Sequence, residues 1–255
     1  MNSKYGPISD MALVQQNRLL LCTASKYLLL IDSHQGEIQY RLLLMASPLR
    51  RVCIISKNYA AVTIEHNNAN KVQYITIKDD TLELGENVRV SIRGHIMGIC
   101  AMKDNLAVSY VDPSAVEMIS EKGKVINRID HDSTGREIFI SLWYVTASPD
   151  YDHIFVSDHE TNTITLLNPD LKLLKTFSDR NLLTSPRGLL IWNDQVLVCG
   201  ETSNSIVLLD PSSGQMSNIL DGNDGMEWPV ALAFCRQTST LFIILKKSIQ
   251  RYQLR

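Results

Sequence analysis

One stretch of the chain decides the fold: Ser185-Pro186-Arg187-Gly188-Leu189-Leu190-Ile191-Trp192-Asn193-Asp194-Gln195-Val196-Leu197-Val198-Cys199. Its two apolar segments are short and are joined by a tight polar turn, as in a β-hairpin. A third apolar segment follows at 206–209, then an Asp-Pro-Ser-Ser-Gly turn at 210–214 and a fourth segment at 215–220. The stretch therefore predicts a unit of four short antiparallel strands.

The turns of this unit recur along the chain. Copies of the turn between the third and fourth strands begin at 31, 77, 119, 167 and 209, which gives steps of 46, 42, 48 and 42 residues. The turn between the first and second strands has six copies, at 15–17, 57–58, 103–105, 150–152, 193–194 and 237–239. Asp, Asn, Pro and Gly concentrate at these turns because hairpins need preset or positive φ angles. A period in the forties with four strands per repeat is typical of propeller blades.

We therefore predict an all-β fold, a six-bladed β-propeller of four-stranded antiparallel blades that forms one domain over residues 1–255. The predicted blades cover approximately residues 8–46, 47–92, 93–138, 139–183, 184–227, and 228–255 with 1–7. The sixth repeat lacks its fourth strand, so we expect the N-terminal segment, residues 1–7, to close the last blade by pairing beside 250–254. Such closure removes an open sheet edge.

Composition indicates a cytoplasmic protein. The formal net charge is −2, which gives no general attraction to nucleic acid or to an anionic membrane. No apolar run approaches the ~20 residues that span a bilayer, and residues 1–7 lack the features of a signal peptide. The five cysteines lie in apolar runs without Cys-x-x-Cys spacing, so we expect free core thiols in a reducing compartment: Cys22, Cys53, Cys100, Cys199 and Cys235.

The sequence predicts no catalytic, metal or cofactor site. It has no Gly-x-Ser-x-Gly, no phosphate-binding Gly-x-x-x-x-Gly-Lys-Ser/Thr and no His-Glu-x-x-His. Lactonase-type propellers hold calcium with carboxylates from their innermost strands, whereas the first strand of each repeat here is apolar. We therefore expect no carboxylate to reach the central channel and interpret the chain as non-enzymatic.

The repeats resemble those of the NHL family. Unit five carries the similarity in Ser185-Pro186-Arg187-Gly188-Leu189, Val196-Leu197-Val198, Glu201 and Asn204-Ser205-Ile206. Unit four matches in its later half, Ile154-Phe155-Val156-Ser157-Asp158 and Asn162-Thr163-Ile164-Thr165-Leu166. Units one and three lack the Pro-x-Gly entry, and unit two has only Ser47-Pro48, so the chain is closer to an NHL-like pattern than to a strict one.

The resemblance implies a function. NHL-like propellers often form the C-terminal domain of tripartite-motif (TRIM) E3 ubiquitin ligases, where they recognise substrates, and some bind RNA. It implies a protein partner or ubiquitination substrate for this chain, with single-stranded RNA as the alternative ligand. The net charge and the apolar runs predict no membrane partner. RING chemistry and oligomerisation would then belong to segments outside this chain.

The order of strands in a blade predicts where a partner binds. Loops between blades share one face with the loops between second and third strands, and we call this the entry face; both kinds of hairpin turn lie on the opposite, exit face. The entry face collects the predicted partner-binding residues: Arg50, Arg51, Arg93, His95, Arg187, Trp228 and Lys246. Ordinary solvated loop charges are the competing interpretation. Trp192, beside a hairpin turn, is either packed on the neighbouring blade or an exposed anchor.

Overall fold

The computed structural model describes residues 5–15, 17–44, 48–66, 69–90, 94–246 and 248–254. The described strands form six antiparallel sheets, the blades, and within each sheet the strands follow their order in the chain. Blades 1 to 3 are built from twelve strands: β1 Ile8–Val14, β2 Arg18–Thr23, β3 Tyr27–Asp32, β4 Ile38–Leu43, β5 Leu49–Ser56, β6 Tyr59–His66, β7 Ala69–Ile77, β8 Leu82–Arg89, β9 His95–Ala101, β10 Asn105–Val111, β11 Ala115–Ser120 and β12 Val125–Ile129.

Blades 4 to 6 contain the remaining strands: β13 Leu142–Ala147, β14 Ile154–Asp158, β15 Thr163–Leu167, β16 Leu173–Phe177, β17 Pro186–Trp192, β18 Gln195–Gly200, β19 Ser205–Leu209, β20 Met216–Leu220, β21 Ala231–Cys235, β22 Thr240–Ile244 and β23 Ile249–Gln253. A 3-10 turn, Gly222–Asp224, precedes blade 6. The first strands of successive blades contact one another, and β21 contacts β1, so the blades close into a ring. The predicted six-bladed propeller is confirmed.

The middle strands of a blade are largely apolar because both of their faces are covered. In β2, Leu19 and Leu21 pack into the core shared with blade 6, whereas Leu20 and Cys22 pack toward blade 2. Successive side chains of a strand point to opposite faces, so a strand between two blades is largely apolar on both of them. The outer strand β4 instead alternates between half-buried and exposed residues, since one of its faces meets solvent.

The last blade contains three strands within the described residues. Residues 5–7 do not pair beside β23. The carbonyl of Pro7 accepts a 2.9 Å hydrogen bond from the Ala24 amide, and the carbonyl of Tyr5 accepts one from the Ser25 hydroxyl. The Tyr5 ring packs edge-on against Tyr27, with centroids 5.3 Å apart. Residues 5–7 thus continue the entry to blade 1, because the loop between β2 and β3 and the Tyr27 ring of β3 hold them. Residues 1–4 of the expected closing segment lie outside the described residues.

Two further expectations concern the cysteines and Trp192. All five cysteines are buried, as the apolar runs around them predict. Trp192 is half-buried and packs on blade 6, where its ring meets Phe234 edge-on with centroids 6.3 Å apart. Of the two alternatives for Trp192, the structure has the packed one. No helix in the described ranges is long and apolar enough to cross a membrane.

Candidate functional site

A cavity of about 280 Å³ lies at the mouth of the central channel on the entry face, where the first strands of the blades begin. Five of the seven predicted partner-binding residues border it: Arg50, Arg51, Arg187, Trp228 and Lys246. Trp143 and Glu201 border it as well. The fold therefore brings together four cations from distant parts of the sequence. The two that are farthest apart along the chain, Arg50 and Lys246, are separated by 196 residues. Their part in binding stays a prediction.

Arg51 forms the floor of this cavity and is only 4% exposed. Its Nη1 donates to the carbonyl oxygens of Ser9 and Arg50, at 3.0 and 2.8 Å. Its guanidinium carbon lies 4.0 Å from the centre of the Tyr144 ring. Within the described structure, Nε and Nη2 of Arg51 have no hydrogen-bond partner. Arg51 is thus a buried cation that stacks on an aromatic ring and keeps one edge of its guanidinium unused.

Asp10 and Tyr144 close the channel beneath Arg51. Tyr144 belongs to blade 4, which stands opposite blade 1 in the ring, and its hydroxyl donates across the axis to Asp10 Oδ1 at 2.9 Å. The other carboxylate oxygen, Oδ2, accepts from the Val52 amide at 2.9 Å. Burial raises the pKa of Asp10, and the positive charge of Arg51 opposes part of that rise. Burial also raises the pKa of Tyr144 well above its usual range.

Arg187 and Trp143 form one wall of the cavity. The guanidinium carbon of Arg187 lies 4.0 Å from the centre of the Trp143 ring, and that of Arg51 lies 5.9 Å from it. Glu201 Oε2 is 2.7 Å from Arg187 Nε and 3.0 Å from His159 Nε2. Burial lowers the pKa of Arg187; Glu201 opposes this shift, and the charge of Arg51 adds to it. The guanidinium groups of Arg51 and Arg187 therefore both lie against the Trp143 ring. The carboxylate of Glu201 pairs with Arg187 at the side of this cluster.

The opposite rim carries a second ion-pair group. Glu65 Oε2 accepts from Arg50 Nη2 at 3.0 Å, and its other oxygen contacts the ring of His95. The two basic residues hold the pKa of Glu65 below its usual range, although burial opposes that shift most strongly. His95 is therefore joined to Arg50 through Glu65 but does not border the cavity. Arg93, the remaining predicted residue, lies outside the described residues.

Trp228 and Lys246 form the exposed edge of the site. Trp228 is 43% exposed, and the ammonium nitrogen of Lys246 lies 4.7 Å from the centre of its ring. The Trp228 amide donates to the Asn204 side-chain oxygen at 2.9 Å, which anchors the loop before blade 6. A half-exposed Trp held beside a cation is the kind of residue that dominates binding energy at protein interfaces.

Sequence reasoning missed four residues of the site: Asp10, Trp143, Tyr144 and Glu201. The repeat held a usable signal for two of them, because Trp143-Tyr144 occupies the same place at the start of its first strand as Arg50-Arg51 does. Asp10 corrects the expectation that no carboxylate reaches the central channel, since it borders the channel cavity of about 250 Å³. Its first strand begins at Ile8, before the apolar run from which that expectation was drawn.

Aspartates in the hairpin turns of the exit face accept hydrogen bonds from residues of the same turn. Asp210 Oδ1 accepts from the amide and the hydroxyl of Ser212, at 2.8 and 2.7 Å, and these bonds, with those from Ser213, hold the pKa of Asp210 at about 2. Asp32 Oδ1 caps the turn between β3 and β4 in the same way, since it accepts from the amides of His34 and Gln35, both at 2.8 Å. Among the described residues, no group of three His, Cys, Asp or Glu side chains is placed to hold a metal ion.

No model of a known protein family matches this sequence, and no curated protein sequence matches it. Several solved structures are similar in fold. A Bacteroides thetaiotaomicron protein of unknown function has a TM-score of 0.77 at 11% identity, over 98% of this chain and 70% of that one.

Two further solved structures are similar over nearly the whole chain. The Myceliophteria thermophila Cps50 (Swd1) β-propeller domain has a TM-score of 0.68 at 10% identity, over 97% of this chain and 84% of that one. Streptogramin B lyase has a TM-score of 0.68 at 14% identity, over 100% and 85%. At these identities the likeness shows a propeller fold and nothing finer.

Proposed function

We propose that this propeller is a non-catalytic protein-recognition domain that binds its partner at the channel mouth on the entry face. The observation that carries the proposal is a cluster of four cations around one cavity: Arg50, Arg51, Arg187 and Lys246. Glu201 is the one acidic residue among those that border this cavity. Since the whole chain has a formal net charge of −2, this cationic mouth is a local feature and not a general one. It favours a partner that presents an acidic segment.

The aromatic residues of the mouth support a protein partner. Trp228 offers an exposed, rigid apolar surface, and Trp143 lies beneath the two guanidinium groups. Arg and Trp are the residue types that contribute most binding energy at protein interfaces. The resemblance of units four and five to NHL repeats supports the finer proposal that the chain is the substrate-binding C-terminal domain of a TRIM E3 ubiquitin ligase.

The proposal is tested by reversing charges at the rim of the cavity. The variant Arg50→Glu/Lys246→Glu changes two exposed or half-exposed cations without touching the buried floor. A matched control, Lys103→Glu/Lys172→Glu, makes the same change in net charge at exposed turns of the exit face. We expect a fluorescent peptide with alternating Glu and Gly to bind the wild type and the control, and to bind the rim variant at least tenfold more weakly.

Two other probes complete the test. A peptide with Gln in place of Glu should bind none of the three proteins. A single-stranded RNA is the alternative ligand, and an RNA affinity that falls steeply with salt and is lost in Arg51→Glu/Arg187→Glu would replace the proposal by RNA binding. Equal binding of the acidic peptide by the rim variant and the control would overturn the proposal. In a full-length ligase, the rim variant should lose substrate ubiquitination but keep its own autoubiquitination.

A further inference from the structure

We propose that the partner of the channel mouth also adds a strand to blade 6. An extended segment of that partner pairs with the outer edge of β23, and its acidic residues follow at the mouth. This inference rests on the proposed function and deepens it, because it states how the segment that carries the acidic residues is held. The site consists of the outer edge of β23 and the cavity beside it, between blades 6 and 1.

The outer edge of β23 offers backbone groups for pairing. β23 is antiparallel to β22, and the Leu254 amide at its end donates to the Ser239 carbonyl at 3.0 Å. Bonded and non-bonded pairs alternate along an antiparallel ladder, so every second residue counted from Leu254 bonds to β22. The residues between them direct their amide and carbonyl groups to the outer edge: Ile249, Arg251 and Gln253. In the described part of the chain, no strand pairs with this edge.

The side chains of β23 leave this edge accessible. Arg251 is exposed, and its Nη1 donates to the carbonyls of Ser33 and His34 in blade 1, at 3.4 and 3.0 Å. Tyr252 turns the other way, and its hydroxyl donates to the Asp224 carbonyl at 2.8 Å. Charged side chains commonly protect the edge strands of natural sheets from pairing. Here the one charged side chain of β23 is held against blade 1 instead.

A cavity of about 380 Å³ lies beside this edge, between blades 6 and 1. Apolar side chains of both blades line it: Leu19, Ile31, Phe242, Ile244 and Ile249. Between blades 1 and 2, Tyr40 and Leu42 of the fourth strand pack on the shared core, and between blades 5 and 6, Ile219 and Leu220 do the same. Paired residues of neighbouring strands point to the same face, so a fourth strand on β23 would place every second side chain toward this cavity. The added segment should therefore be apolar at alternate positions.

The charged residues around this cavity favour an acidic segment. Among the described residues that border it, Lys246 and Arg251 are cationic and none is Asp or Glu. Both cations are exposed. Complementary charges across an interface steer the encounter and select against partners of the wrong charge. We therefore expect acidic residues next to the apolar strand of the partner.

This cavity is continuous with the channel mouth. Four residues border both cavities: Pro7, Ile8, Leu245 and Lys246. β23 begins after the loop that follows β22 on the entry face, so a strand antiparallel to β23 ends at that face. The residues after such a strand reach Lys246 and the Trp228 ring, which are 4.7 Å apart, and then the mouth. One continuous segment can therefore pair with β23 and present acidic residues to the mouth.

The first experiment measures the contribution of the strand. The strand peptide is acetyl-Gln-Val-Thr-Val-Gln-Val-Gly-Glu-Gly-Glu-amide, and the tail peptide is acetyl-Gly-Glu-Gly-Glu-amide. We expect the strand peptide to bind the wild-type protein at least tenfold more tightly than the tail peptide does. Methylation of the three valine amide nitrogens, which face β23 when the valine side chains face the cavity, should abolish this gain. Methylation of the Thr and second Gln amides, which then point to solvent, should preserve it.

The second experiment locates the segment on the protein by hydrogen exchange of backbone amides. In the free protein the amides of Ile249, Arg251 and Gln253 should exchange at least tenfold faster than those of Gln250 and Tyr252, which bond to β22. The strand peptide should slow the first three at least tenfold, and the tail peptide should not. Unchanged exchange at the outer edge on saturation with the strand peptide would overturn the proposal, as would a gain in affinity that survives methylation of the valine amides.

Two results in the free protein would also overturn the proposal. Slow exchange at the outer edge that becomes fast on deletion of residues 1–4 would assign the edge to the N-terminal segment of the chain. Slow exchange that becomes fast on dilution would assign it to a second copy of the chain.

A variant of β23 provides an independent test. Arg251→Pro removes an amide that points to the outer edge, and proline is tolerated where the amide of an edge strand faces solvent. The variant should bind the tail peptide as the wild type does and the strand peptide no more tightly than the tail. Retention of the tenfold gain would contradict strand addition. If the variant does not fold, the methylated peptides decide the question with the wild-type protein.

The two proposals can fail separately. If the rim variant Arg50→Glu/Lys246→Glu loses both peptides while the outer-edge amides of the wild type never slow, the recognition face stands and strand addition is wrong. If the strand peptide slows these amides and binds equally well with Gln in place of Glu, the strand is added but the acidic specificity of the mouth is wrong.

Discussion

The guanidinium carbon of Arg187 lies 4.0 Å above the centre of the Trp143 ring, so a cation of blade 5 covers the first strand of blade 4. Glu201, also from blade 5, holds that cation in place and reaches His159 of blade 4 with the same oxygen. The contact therefore joins two blades and at the same time builds the wall of the candidate site. Rigidity of this wall favours binding, because a preorganised side chain loses little entropy when a ligand arrives.

Replacing Trp143 should affect stability more than replacing the exposed Trp228. Trp143→Leu removes the ring on which Arg187 stacks and leaves a space between blades 4 and 5, so we expect the free energy of unfolding to fall by about 1–3 kcal/mol. Trp228→Leu should change it by less than about 0.5 kcal/mol, because 43% of the residue is already exposed. Urea unfolding of both variants measures the difference. Equal losses would contradict the interlocking role of Trp143.

The fold was predictable because its signal is repeated. Each blade places a polar turn at the same point of a period in the forties, and six imperfect copies reinforce one another. The path of residues 5–7 was not predictable from the repeat, since it depends on Ser25 and Tyr27, which belong to no recurring motif. The last blade consequently has three strands in the described ranges, whereas the repeat predicted a fourth from the N-terminal segment.

Five of the seven predicted residues border the cavity, but four other residues of the site and the depth of each side chain were not predicted. Arg50 and Arg51 are adjacent in β5, and neighbouring residues of a strand point to opposite sides. Arg50 therefore reaches the rim and Glu65, whereas Arg51 points into the channel. Because both residues are charged, no alternation of polar and apolar residues predicts which of the two is buried. The bond between Tyr144 and Asp10 spans 134 residues and crosses the channel axis, so no local pattern encodes it.

Gly188 should tolerate no side chain, because the first strands of blades 5 and 6 meet there. A Cβ at this position would lie 2.8 Å from both the Ala231 Cα and the Val230 carbonyl oxygen, and the Gly188 amide donates to that same carbonyl. We expect Gly188→Ala to lower the free energy of unfolding by about 1–3 kcal/mol. Gly222→Ala is the control, since a Cβ there meets open space. The contact is contradicted if urea midpoints of the two variants coincide.

Asp210 should stabilise the hairpin between β19 and β20 only while it is ionised. Its folded pKa of about 2 is below its ordinary value of 3.8, so its contribution is complete above the ordinary value and is lost as pH falls toward 2. We expect Asp210→Ala to lower the melting temperature at pH 7 and to match the wild type near pH 2. Asp104→Ala, at an exposed turn of blade 3, provides the control. A loss that persists unchanged at low pH would show that the turn does not depend on the carboxylate.

Tyr144→Phe should destabilise the protein most when Asp10 is ionised. The substitution keeps the ring beneath Arg51 and removes the hydroxyl that donates to Asp10 Oδ1, so a buried carboxylate oxygen loses its partner. We expect a loss of about 1–3 kcal/mol in the free energy of unfolding at pH 7, measured by urea titration.

The pH dependence of this loss identifies its cause. Burial raises the pKa of Asp10, and the bond from Tyr144 opposes that rise, so the folded pKa should climb further in Tyr144→Phe. A carboxyl whose folded pKa is above its unfolded value of 3.8 favours the folded state at low pH, and this advantage is lost as pH rises through the folded pKa. The gap between variant and wild type should therefore narrow as pH falls toward 4, because protonated Asp10 no longer presents a buried charge. A gap that stays constant from pH 7 to pH 4 would show that the loss does not depend on the charge of Asp10.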